Sequence, residues 1–220
     1  MVQNFDNFDN FCWHNRYPPS AGPPLSVVAA VILAAGSSKR LGQPKALLDF
    51  GGSPLVLDLV RRLDSSGLGI SPIIVVVNET INGAVELVLE DTNAVVVVNN
   101  SPESGRTGSL KLGLAEMLGA EVVLVIPVDR PGWSPSTLRA LVEADDCCCP
   151  SSGGKGGHPL RLKSNDIARI IAASDDTRLN RLVEPRRFEV KDQFLHLNID
   201  TPDDLPLLAV AVSTLARTEF

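Results

Sequence analysis

Cysteine is scarce and poorly spaced for metal or redox work: Cys12 stands alone, and Cys147, Cys148 and Cys149 are consecutive. Zinc sites and disulfide scaffolds need cysteines paired at a spacing of a few residues, so neither is available, and the triplet reads as part of a buried strand. Long apolar runs are missing too. None approaches the ~18 residues that cross a bilayer, which points to a soluble, cytoplasmic chain with no membrane partner. The run over 25–35 could imitate a signal-peptide core. Ahead of it, however, lie Asp6, Asp9, several prolines and only Arg16 as a basic residue, where such a peptide carries positive charge. Nor is the chain basic: 20 Lys and Arg face 26 Asp and Glu, a net charge of -6. That excludes a nonspecific nucleic-acid binder, and any cationic site must be local.

What is present suits one core, since 220 residues match the usual size of one domain. Residues 1–24 hold NFDNFDNF, four prolines and five of the ten aromatic residues without helical or strand periodicity. Composition favours a disordered tail over a docking motif built on Phe5, Phe8 and Phe11. From residue 25 to 220 a single domain is expected. Short β-branched runs at 27–34, 73–77, 94–98 and 122–128 alternate with amphipathic stretches near 54–65, 80–90, 107–118 and 135–144. This rhythm predicts an α/β fold with a mostly parallel sheet covered on both faces. Beyond it come the cysteine strand, a glycine-rich stretch, the extended GHPLRLK, a helix near 164–173 and an irregular basic stretch. Extended LHLNI then leads to a last helix opened by Thr201 and Pro202.

Ligands of such sheets sit beyond the carboxyl ends of the strands, so the residues that follow each run carry the chemistry. After the first comes LAAGSSKRLGQPKALL. Gly36 and Gly42 are six apart, which fits neither G-x-G-x-x-G nor G-x-x-x-x-G-K-[ST]. A glycine turn with free amides followed by Lys39, Arg40 and Lys45 nevertheless supplies what a triphosphate needs, although solvated cations on an ordinary βα turn would read the same. Asp129 closes an all-apolar run between Pro127 and Pro131, where its burial asks for a cation, and Asp200 repeats the pattern after LHLNI. Together they could share a magnesium ion completed by phosphate oxygens and water. Asp203 and Asp204 answer the dipole of the last helix. In NNSPESGRTGSLKLGL, Gly105 and Gly108 allow close approach of a ligand, and Thr107 or Ser109 can open a helix. His158, in GGHP, is a candidate contact for a substrate phosphate; His14 and His196 have no partner pattern, and Trp133 reads as packing.

The ordered set AAGSSKRLGQPK, NNSPESGRTGSLKLGL, PVDRP, GGKGGHP and NIDTPDDL resembles the MobA-like NTP transferase family, closest to the MocA-type molybdenum cofactor cytidylyltransferases, over roughly 27–210. The resemblance implies a three-layer Rossmann-like nucleotidyltransferase fold. It also implies a magnesium-dependent reaction that places a nucleoside monophosphate from an NTP on a phosphorylated acceptor, releasing pyrophosphate. Ala35, Gly36, Ser38, Arg40, Gly42 and Lys45 would form the nucleotide loop, with Arg40 and Lys45 catalytic. Asn99 and the stretch Gly105 to Ser109 would line the nucleotide pocket, Gly157 and His158 would lie near the acceptor, and Asp129 and Asp200 would bind the metal. The implied partners are CTP, with GTP as the alternative, a molybdopterin-type acceptor, and a molybdoenzyme or its maturation factor. Leu41 and Asn198 depart from the family wording, as does GRTGSLKLGL, the region expected to influence base choice. A sugar-phosphate or methylerythritol-type nucleotidyltransferase and a non-catalytic cofactor-delivery partner are the rival readings.

Overall fold

The structure, a computed structural model, describes residues 27–117 and 119–215. The expected tail, with Phe5, Phe8, Phe11, Cys12 and His14, lies outside the described residues. The β-branched runs form β1 (Val28–Leu33), β2 (Ile73–Asn78), β3 (Val95–Asn99) and β4 (Val122–Pro127). They are joined by crossover helices α1 (Leu55–Asp64), α2 (Asn82–Leu89) and α3 (Arg106–Ala115). After α4 (Pro135–Glu143) come β5 (Cys148–Ser152), β6 (Lys155–Gly156), β7 (Leu160–Lys163), α5 (Ser164–Ala172), β8 (Arg186–Glu189) and α6 (Leu205–Leu215). The sheet runs β3-β2-β1-β4-β7-β5-β6, with β8 paired to β5. β1 pairs in parallel with both β2 and β4, Ala30 lying beside Ile73 and beside Leu124, while β7 is antiparallel to β4. Winding therefore reverses between β1 and β4, and the loops leaving these two strands diverge to frame a crevice.

β1, β2 and β4 are buried along their whole length, as their unbroken apolar sequence requires. β3 is equally apolar but mostly half-buried, because it is an edge strand with one neighbour. One face of the sheet packs Ala30, Ile32 and Val75 against α1, α2, α4 and α6; the other packs Ala29, Val31 and Val76 against α3 and α5. On α1, Leu55, Leu59 and Leu63 recur every fourth residue and are fully buried, each worth ~1.5–3 kcal/mol. On α3, a Cβ at Gly113 would stand 2.7 Å from Val31 Cγ1, so glycine is what lets this helix lie close on β1.

Three expectations need correction. α3 opens at Arg106 with Gly105 before it, not at Thr107 or Ser109, whose hydroxyls are engaged elsewhere: Thr107 Oγ1 donates to the Thr177 carbonyl and Ser109 Oγ accepts from Asn99. The basic stretch taken as irregular contains β8, held by parallel pairing to the cysteine strand. Conversely, 195–199 is not a strand. Leu195, Leu197 and Ile199 are buried in alternation, but their amides donate to Asp192, Phe194 and Asp129 carbonyls, respectively, rather than into a ladder. The cysteine expectation holds for Cys148 and Cys149, which are buried in β5, and burial pushes the neighbouring Cys147 thiol up to about 12.

Candidate active site

The chain leaves β1 still in register: the Ala34 amide donates to the Val76 carbonyl and the Val128 amide to the Leu33 carbonyl. The turn that follows is shaped by Ser38, the one described non-glycine residue with positive φ, at 49°. A left-handed residue with a side chain costs about 1–2 kcal/mol, and such strain collects at functional turns. Here the Ser38 carbonyl accepts from the Leu41 and Gly42 amides, and its hydroxyl accepts from the Lys45 amide at 3.2 Å. Behind the turn, the buried Asn78 side chain donates to the Ala35 carbonyl at 3.1 Å. Asn78 directly follows the apolar run over 73–77 and carries no local signal for this role.

Two cavities open on this turn. One of about 290 Å³ is lined by Ala35, Gly36, Ser38, Lys45, Gly105, Arg106, Ser109 and Asp129, among others. The other, of about 660 Å³, meets it at Gly36, Ser38 and Pro102 and adds Lys39, Gly42, Asn78 and Asn99. Ala35, Gly36, Ser38, Gly42, Lys45, Asn99, Gly105 and Ser109 therefore face one cavity or the other, while Arg40 lines neither. Asn99 and Ser109 are also bonded to each other at 2.9 Å, which ties the end of β3 to α3. Gly105, at φ 110°, occupies a conformation that only glycine adopts without strain. Arg106, inside the 105–109 stretch expected to line the pocket but given no role of its own, faces the smaller cavity from the first turn of α3.

The charged groups converge on one point. Lys45 Nζ donates to Asp129 Oδ2 at 3.1 Å and to Asp200 Oδ1 at 2.7 Å, and Arg40 Nη2 donates to Asp200 Oδ2 at 2.8 Å. Lys45 and Asp129 are largely withdrawn from solvent, with side chains 13% and 20% exposed, so these pairs exceed the worth of open surface pairs. The hydrogen bond from Lys45, then the charges of Lys45 and Arg40, hold the Asp200 carboxyl below its ordinary value. Asp129 sits just past β4, as its sequence position suggested. Asp200 arrives from the irregular segment instead, and the Ile199 amide donates to the Asp129 carbonyl at 3.1 Å, which locks the two acids together. Asp204 does more than answer a helix dipole: its Oδ2 accepts from the Asp200 amide at 2.8 Å and the Thr201 amide at 2.7 Å. These bonds lower its own carboxyl.

Gly157 and His158 line neither cavity. Gly157 is explained by packing, since a Cβ there would stand 2.7 Å from Leu195 Cγ. His158 is close to the site, within reach of the charges of Arg130, Arg106 and Asp129. Burial, then the charges of Arg130 and Arg106, pull its ring down to about 4, with Asp129 opposing, so it is a neutral imidazole. Trp133 is fully buried under the Arg62 guanidinium, 3.8 Å from the ring centre, and is packing, as expected.

No group of three His, Cys, Asp or Glu side chains that could hold a metal occurs among the described residues. Two carboxylates that already cradle a cation suit a hard divalent ion whose other ligands are phosphate oxygens and water. A glycine turn, two cations and two acids gather at the winding reversal of a mostly parallel sheet, where an anionic, phosphate-bearing ligand would be accommodated. The comparisons name the family: the model for the MobA-like NTP transferase domain matches residues 30–193, and the chain belongs to that family. It is 30% identical over 213 residues to the molybdenum cofactor guanylyltransferase of Rhizobium meliloti, covering 87% of this chain and 90% of that one. A shorter match, 35% identical over 122 residues, is to the 2-C-methyl-D-erythritol 4-phosphate cytidylyltransferase of Rhodococcus opacus, covering 54% of this chain. The chain spans about half the length of that relative, 52%. Among solved structures, Rv0371c from Mycobacterium tuberculosis is 26% identical with a TM-score of 0.68, covering 83% of this chain and 97% of its own. No helix of the described residues is long and apolar enough to cross a membrane.

Proposed function

We propose that the chain transfers a nucleoside monophosphate from an NTP to a phosphorylated acceptor of the molybdopterin type, with release of pyrophosphate and with magnesium between Asp129 and Asp200. The observation that carries this reading is the meeting of Lys45 with both acids at the glycine turn. An acceptor phosphate is already an anion at neutral pH, so no general base is needed to create the nucleophile. The obstacle is repulsion between two phosphates that must approach in line. One oxygen of the acceptor forms a bond to the α-phosphorus while the bond to the bridging oxygen of pyrophosphate breaks. The chain contributes position and charge: the turn over 36–40, whose amides are not spent on the Ser38 carbonyl as those of Leu41 and Gly42 are, faces the phosphates, Ser38 holds the Lys45 backbone, Lys45 would meet the developing negative charge from the cavity wall, and Arg40 would add charge from its place on Asp200. The bound divalent ion would neutralise the phosphates in the same place. Gly157 and His158 line neither cavity, so their expected acceptor role would need the acceptor to reach past the cavity rim, where the neutral His158 ring would offer a hydrogen bond without adding charge.

The relatives matched along most of their length support a molybdopterin acceptor, and their guanylyltransferase name puts GTP beside the CTP that the sequence favoured. A sugar-phosphate or methylerythritol-type acceptor is the second reading, supported by the match to methylerythritol cytidylyltransferases. Pyrophosphate release measured for each NTP, with molybdopterin or methylerythritol phosphate, decides donor and acceptor together. Asp129→Asn and Lys45→Ala should each lower turnover with the right pair by about 10²–10³-fold. Near-normal rates in both variants would mean that the site is elsewhere.

A further inference from the structure

Lys45 is asked to do two things that exclude each other. As the structure stands, its ammonium bridges Asp129 Oδ2 and Asp200 Oδ1, at 3.1 and 2.7 Å, so the two oxygens are at most 5.8 Å apart with a cation already between them. The same ammonium is the cation that the proposed reaction needs at the triphosphate. Resting on that reading of the site, we infer that Lys45 is a stand-in for the divalent ion: metal and ammonium share one place, and the metal enters only as a polyphosphate arrives to take Lys45 away.

The charge balance supports this. Asp129 and Asp200 are matched one for one by Lys45 and Arg40, so these four ion-paired groups are neutral together, and among the described residues there is no group of three His, Cys, Asp or Glu to complete a metal site. A divalent ion added to that cluster would put two uncompensated positive charges in a partly desolvated crevice. An ion arriving with a triphosphate brings its own negative charge, and the phosphates accept the displaced ammonium. The geometry allows the exchange. Lys45 lines the same cavity as Gly36 and Ser38, so its Nζ needs only a swing of its flexible stem to leave the acids for the glycine turn. Its backbone stays fixed meanwhile, because the Lys45 amide donates to Ser38 Oγ. Asp200 is suited to share: Oδ2 keeps Arg40 while Oδ1 is released.

The test is Mn²⁺ binding to the full chain without nucleotide, read by the loss of the free-ion electron paramagnetic resonance signal. Lys45→Gln and Lys45→Met should bind Mn²⁺ about ten-fold more tightly than the wild type, the scale of two partly buried ion pairs. Adding Asp129→Asn to either should remove the gain, and circular dichroism melts identify a variant that has lost its fold. Equal or weaker binding in both folded lysine variants overturns the exchange, and if Asp129→Asn still abolishes binding then the proposed metal site survives. Binding indifferent to Asp129 overturns the exchange and the proposed metal site together.

Discussion

Replacing Arg62 with methionine perturbs the site from a helix that does not line it. Arg62 projects from α1, is 5% exposed, and donates to the Pro131 carbonyl at 2.8 Å and to the Trp133 carbonyl. These carbonyls belong to the loop that begins with Asp129. On its other flank the loop is held by the Ile199 amide and by Gly132, where any Cβ would overlap the Phe194 carbonyl. Methionine keeps the volume of the side-chain stem and removes the donors and the stack on Trp133. Two charge-assisted bonds at ~1.5–3 kcal/mol each and a cation–π contact at ~1 kcal/mol are lost. Against this stands relief from burying a guanidinium, a cost visible in the lowering of its pKa to about 10. The net is a loss of about 2–4 kcal/mol, read by urea denaturation. A loosened loop also moves Asp129, and a displacement of ~1 Å is enough for a ~10²-fold fall in kcat while NTP binding at the glycine turn changes little. Arg62→Lys keeps the charge but not the two-pronged geometry, so it should fall between methionine and wild type. A methionine variant as stable and as fast as the wild type would refute the reasoning.

Other substitutions probe the supports one at a time. Asp204→Ala should cost about 1 kcal/mol as a lost helix-opening box, and it should lower kcat by freeing Asp200, measured by melting and by pyrophosphate release. Asp204 and Asp200 are held below their ordinary value of 3.8, so their contribution is present above that pH and lost as pH falls below it; Asp204→Asn should flatten that acid limb of the urea midpoint. His158 stays neutral down to about 4 in the fold but takes a proton near 6.5 when unfolded, so stability should decline as pH drops from 6.5 toward 4. His158→Asn should remove that part of the slope, worth a few kcal/mol at most. Gly113→Ala drives a methyl group into Val31 and should destabilise by ~1–3 kcal/mol without changing NTP affinity, as seen in paired melting and nucleotide titrations.

Much of this was legible in the sequence because strand runs and the residues after them obey local rules. The four parallel strands, their crossover helices and the glycine turn lie where periodicity put them, and Asp129 stands at a strand end as its flanking prolines suggested. What escaped depends on distant chain. β8 reads as a basic stretch because its strand character comes from pairing with β5. The alternation over 195–199 looks like a strand, but the backbone there turns back locally on Asp192 and Phe194 and makes one bond to the loop after β4, so Asp200 is placed by the Ile199–Asp129 bond rather than by a strand end. Arg62 carried no local signal, since a basic residue on an amphipathic helix ordinarily faces water. Arg106 lay within a quoted motif, but its direction into the cavity follows from where α3 begins.

The proposed function stands or falls with Asp129 and Asp200 gripping a divalent ion against the triphosphate. A crystal structure of the full chain with manganese and a non-hydrolysable NTP, read by manganese anomalous scattering, tests it most directly. One peak coordinated by both carboxylates and a phosphate oxygen is expected, with Lys45 Nζ moved onto the phosphates. A nucleotide bound at the turn over 35–45 with the metal elsewhere, and Lys45 still bridging the two acids, would contradict it.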